Sequence, residues 1–92
     1  MYKLIDGVKM NEQYPESFKI PSKSDIRNLE VGNHVKLGFE EDGKHTERMW
    51  VLLTRIDGDD FEGILDNDPF NLETIKCGDL VKFNSKHILS TI

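Results

Sequence analysis

Apolar and polar side chains alternate along residues 34–39, His-Val-Lys-Leu-Gly-Phe. Val35, Leu37 and Phe39 point one way and His34 and Lys36 the other, which is the period of a half-buried strand. Residues 48–56, RMWVLLTRI, are apolar on both sides. Met49, Val51 and Leu53 share one face, and Trp50, Leu52 and Ile56 the other. A strand covered on both faces belongs in the middle of a sheet, with Trp50 in the core. FEGIL (61–65) alternates again, and Gly63 between Phe61 and Leu65 predicts a bulge or a close backbone approach. DLVKF (79–83) and HILSTI (87–92) give the last two strands, joined by Asn84-Ser85-Lys86. The polar loops EDGKHTE (41–47) and DGDD (57–60) turn the chain between strands.

The pattern differs upstream. YKLIDGVKM (2–10) predicts a small hairpin on Asp6-Gly7, a pair that tolerates positive φ. NEQYPES (11–17) predicts a polar linker, so residues 1–17 form an N-terminal hairpin or extension and residues 18–92 the domain. Ser22 and Asp25 have capping-box spacing for one short helix. Ile26 and Leu29 share its face, and Gly32 ends it. In GILDNDPFNLETIKCGDLVKF (63–83), Asp68 is placed as an N-cap, with Pro69 at the first helical position and a helical turn over FNLET. About five short sequential strands of this kind specify a mainly β domain with minor α. It is an SH3-like or similarly small antiparallel barrel, or a strongly curled sheet, with one short helix and one helical turn. EVGNHVKLGFE and IKCGDLVKFNS echo each other: an apolar residue, Gly, Asn or Asp, then Val and Lys, a turn entering a strand used twice. In that echo Cys77 matches Val31, which predicts a small buried hydrophobe.

A length of 92 residues allows one core and little room for a deep pocket. The formal charge of −5 argues against general affinity for nucleic acid, which needs Lys and Arg to displace counterions. Lys36, Lys76, Lys82 and Lys86 could form a stripe, but Phe39 and Phe83 fall on inward faces, so a solvated lysine face is the simpler reading. Cys77 is the single cysteine, so no internal disulfide forms. No apolar run spans a bilayer and the start lacks a signal peptide's apolar segment, so the chain reads as soluble and cytoplasmic.

The chemistry-bearing residues resolve mostly into turns. Asp66 and Asp68, with Asp57, Asp59 and Asp60, do not follow the spacing of a calcium loop. His34, His45 and His87 lack metal-ligand spacing, so no metal or cofactor is expected. His87, at the start of the last strand, is within reach of the loop at 66–69. Cys77 has Lys76 beside it but no base, and no nucleophile or phosphate motif is present, so no enzyme is expected.

Five segments resemble a family of uncharacterised bacterial proteins called YegJ-like: GNHVKLGFE (32–40), ERMWV (47–51), GILDNDP (63–69), GDLVKF (78–83) and His87-Ile88. The resemblance covers about residues 18–90. Gly32-Asn33 stands where the family shows Gly-Asp. The resemblance implies no activity. It marks Arg48, Met49, Trp50, Asp66, Asn67, Asp68, Pro69, Gly78, Asp79, His87 and Ile88 as signature positions. Asp66, Asp68, Pro69, Gly78 and Asp79 are turn and cap residues, whereas the fold alone does not demand Arg48, Trp50, Asn67 or His87. The expected function is a non-enzymatic module binding a protein, with an acidic surface suited to a basic partner. The alternative is a small-ligand or nucleic-acid module built on Arg48, Trp50, Asn67 and His87.

Overall fold

The computed structural model describes residues 1–92. Its elements are β1 (Lys3–Leu4), α1 (Gly7–Gln13), α2 (Lys23–Arg27), β2 (His34–Glu40), β3 (Glu47–Asp57), β4 (Asp60–Leu65), β5 (Leu80–Asn84), a 3-10 turn (Ser85–His87) and β6 (Ser90–Thr91). All strand pairs are antiparallel, in the order β1-β2-β3-β4-β5. The 3-10 turn then carries the chain back so that β6 lies on β2, with Val35 opposite Thr91 and Lys36 opposite Ser90. β1 takes the other end of the same β2 edge, Leu4 opposite Phe39. Bringing β6 from the β5 side to β2 curls the sheet into a nearly closed barrel and covers most of an otherwise open edge. No helix is long and apolar enough to cross a membrane.

The alternation sorts side chains as the pattern predicts on β2, β4 and β5. Val35, Leu37, Phe39, Met49, Val51, Leu53, Phe61, Leu65, Val81 and Phe83 fill the interior. Phe61 and Phe83, opposite one another, stack with centroids 5.4 Å apart. Gly63 has both roles its position suggested. The β3–β4 register shifts between Leu53 and Arg55, opposite it. A Cβ on Gly63 would lie 2.5 Å from Val51 Cγ1 and 2.6 Å from the Leu52 carbonyl oxygen.

That same bulge corrects the placement of Ile56. One extra residue reverses the alternation, so Ile56 pairs with Phe61 and packs against the core instead of sharing the outer face with Trp50 and Leu52. Trp50 is not a core residue. It is half-buried on the outer face of β3, with the Lys36 ammonium 4.5 Å from its ring centroid.

Three local expectations fail for identifiable reasons. Residues 2–10 form no hairpin. Asp6 caps α1, its carboxylate accepting from the Lys9 N–H at 3.0 Å, and β1 pairs with β2 instead. An Asp-Gly pair serves a helix start as well as a turn, and only the long-range pairing decides between them. The second helix has its capping box, Ser22 and Asp25 bonding reciprocally. It ends at Asn28, however, and Gly32 (φ 98°) belongs to the turn entering β2. The FNLET stretch is not helical; residues 66–79 form an irregular loop. The helical turn of this fold is Ser85–His87.

Candidate functional site

The loop 66–79 crosses one end of the barrel and drops Leu72 and Ile75 into the core. A long irregular segment must find partners for its backbone N–H groups, and here they come from side chains on neighbouring strands. The Asp66 N–H continues the ladder to the Trp50 carbonyl at 2.9 Å, and the Asn67 side-chain oxygen accepts from the Trp50 N–H. The Asp66 carboxylate meets His34 Nε2 at 2.7 Å. Glu47, the first residue of β3, accepts from the Phe70 and Asn71 N–H groups at 2.7 and 2.8 Å. Glu41, just past β2, accepts from the Glu73 and Thr74 N–H groups and the Thr74 hydroxyl. Lys44 donates to the Asn71 carbonyl at 2.9 Å and lies 3.3 Å from both Glu41 and Glu73.

Electrostatics follow from these bonds. The Glu41 side chain is only 7% exposed. The Thr74 hydroxyl and N–H, then the Glu73 N–H and Lys44, hold its carboxyl down to about 2 against the opposing effect of burial. Burial works against the Lys44 ammonium, but hydrogen bonds to Glu41 and Glu73 outweigh it and raise its pKa. Carboxylates accepting several N–H bonds are the strong form of hydrogen bond, and they hold this segment without a helix.

The far end of the loop repeats a second device. Asp79 Oδ2 accepts from the Lys76 N–H at 3.0 Å, as Asn33 Oδ1 accepts from the Glu30 N–H at 2.9 Å. The Gly78 N–H donates to the Leu65 carbonyl and the Leu65 N–H to the Asp79 carbonyl. Gly32, Leu53 and Asn33 make the same pair of bonds. Gly78 and Gly32 both have positive φ, 94° and 98°. The echo in the sequence is therefore one turn built twice, each copy pinned to a leucine of the adjacent strand. Its apolar position is solvent-facing in both copies: Val31 is 62% exposed and Cys77 is exposed, not buried.

Of the four residues the fold does not demand, Trp50 and Asn67 meet through the Asn67 bond to the Trp50 N–H. Arg48 is exposed two residues away on the same strand face, its guanidinium 5.0 Å from the Phe18 ring centroid. His87 does not join them. It sits in the 3-10 turn, its Nδ1 accepting from the Asn84 N–H at 3.0 Å, and burial followed by the Lys86 charge lowers its pKa, with Asp6 acting the other way. The histidine that meets the loop is His34. Asp68 is exposed and caps no helix; Pro69 follows it, half-buried, at the bend that leads to Phe70. No three His, Cys, Asp or Glu side chains converge as a metal would require.

Glu41, Lys44, Glu47 and Phe70 are the residues that reading the sequence missed. Glu41, Lys44 and Glu47 sat in a plain polar hairpin loop, and their partners lie more than twenty residues away. Phe70 sat inside the supposed helical turn; its side chain is 96% exposed, at a bend of the clamped loop. The usable signal was the pair of glutamates bracketing one hairpin loop, opposite a long segment with no partners of its own.

Comparison with curated proteins and with solved structures returns no match. A family model described as an uncharacterised protein conserved in bacteria matches residues 9–90, beginning inside α1 and taking in both turn copies and the whole clamp. The chain therefore belongs to this uncharacterised bacterial family, DUF2314.

Proposed function

We propose that the protein is a non-enzymatic binding module whose contact residue toward a protein partner is Phe70. One observation carries this reading: a phenylalanine 96% exposed on a loop whose backbone is fixed on both sides of it. An aromatic ring held in water costs solubility and adds nothing to the core. When its backbone is already ordered, it loses little further entropy on binding, which is the property of an interface anchor. Asp66, Asp68 and Glu73 flank it in exposed positions, and Glu47 and Glu41 lie beneath with Lys44 as the only lysine of the clamp. That surround suits an apolar pocket with a basic rim, in keeping with the overall charge of −5. The small barrel acts as the scaffold, in the manner expected of an SH3-like module working in the cytoplasm.

The test is quantitative affinity capture from a lysate of the native bacterium with the wild type, Phe70→Ala and Val31→Ala. Val31 is also exposed, on a different loop. The reading predicts a reproducible set of proteins retained by the wild type and Val31→Ala and lost with Phe70→Ala. If wild type and Phe70→Ala retain the same proteins, Phe70 is not the contact.

A further inference from the structure

A cleft of about 550 Å³ lies between α1, α2 and the 3-10 turn. Val8, Ile20, Pro21 and Ile26 make its apolar lining. Lys23, Arg27 and Lys86 stand around it, and its one carboxylate, Asp59, is engaged by the Ser85 hydroxyl at 3.2 Å. In an acidic protein this is a locally basic, apolar-lined recess. Phe70 is the converse: an apolar knob in an acidic surround. The volume accommodates a phenylalanine side chain with space to spare. From these complementary features we infer that the partner taking Phe70 is a second copy of this chain, the knob of one molecule seated in the cleft of the next. The inference rests on the reading of Phe70 as a contact residue.

The geometry makes this contact head-to-tail. Phe70 is tied to Glu47 at the first residue of β3, whereas Asp59 in the cleft lies just past its last residue, Asp57. A strand of this length rises on the order of 30 Å, and the molecule's longest extent is 34 Å. Knob and cleft therefore occupy opposite poles. One molecule cannot satisfy its own cleft, and a pair using one contact leaves a free knob and a free cleft. Such a heterologous contact propagates into chains, or closes into a ring, of two inverted molecules or more, where the rotation allows. The charged surrounds make association weaken as salt rises.

The experiment is sedimentation of the purified 92-residue chain at concentrations up to about 1 mM, which reaches contacts with a Kd of about 1 mM. The wild type is expected to grow in mass with concentration, into a closed ring or an open chain. Phe70→Ala removes the knob, and Val8→Glu places a carboxylate in the cleft at a position 43% exposed on α1. Both sites are exposed, and circular dichroism checks that each variant folds. Each alone should weaken self-association by at least about tenfold. Mixed in equal amounts, the two should form a one-to-one pair and nothing larger, because only the Val8→Glu knob and the Phe70→Ala cleft remain intact. A monomeric wild type at the highest concentration, or a mixture of two unassociated monomers, overturns the self-docking. If the wild type stays monomeric while capture of a different protein remains sensitive to Phe70→Ala, self-docking fails and the reading of Phe70 as contact stands.

Discussion

Gly63 shows how tightly one residue can be specified. It faces Leu53 across the β3–β4 ladder beside the bulge, where a Cβ would press on the Leu52 carbonyl and the Val51 side chain. Backbone cannot give way as a flexible side chain would. Gly63→Ala is expected to cost about 1–3 kcal/mol by overpacking, read as a lower urea midpoint at unchanged slope. This requirement was legible from the alternation of FEGIL alone. The exposure of Cys77 was not. An apolar residue before Gly reads as core by type, but the glycine at positive φ turns the chain outward there, as it does at Val31. Trp50 misleads for a related reason: a tryptophan in a central strand is buried by default, yet on β3 the outer face is itself half-covered by Lys36.

At the scale of the element, the loop 66–79 divides its labour between neighbours two residues apart. Leu72 is buried and Phe70 is bare. Leu72→Ala should therefore cost about 2–5 kcal/mol, whereas Phe70→Ala should leave stability within about 0.5 kcal/mol. Urea denaturation of both variants checks the contrast, and a large loss with Phe70→Ala would mean that the ring serves folding. The clamp has a pH signature. Glu41 is held near 2 in the folded chain against an ordinary 4.5, so the folded state keeps it ionised where the unfolded chain binds a proton. Its contribution to stability is fully present above pH 4.5 and is lost as pH falls toward 2. The stability gap between the wild type and Glu41→Gln should be constant from neutral pH to about 5 and then shrink with acid. A gap independent of pH over that window would contradict the clamp. Strands were legible here because period two is local. The loop was not, because its amides are satisfied by Glu41 and Glu47, and sequence distance hides such partners.

At the scale of the molecule, the mainly β barrel follows from sequential strands with tight turns. The closing of the sheet by β6 on β2 follows from a short link after β5. What the pattern did not disclose is the N-terminal segment's place in that barrel. Asp6-Gly7 starts a helix, and Gly7 packs against Leu89 beside β6 so closely that a Cβ there would lie 2.8 Å from its Cδ2. Residues 1–17 thus contribute an edge strand to the sheet and the wall of the α1–α2 cleft. The barrel places a rigid aromatic knob at one pole and a basic, apolar-lined cleft at the other. All of this depends on the loop being ordered in the free protein. Native-state amide hydrogen exchange at Phe70, Asn71, Glu73 and Thr74 tests that claim most directly. The account predicts protection at all four, well above that of the exposed hairpin loop, and its loss at Phe70 and Asn71 in Glu47→Ala and at Glu73 and Thr74 in Glu41→Ala. Exchange of these amides at the rate of an unstructured chain in the wild type would contradict it.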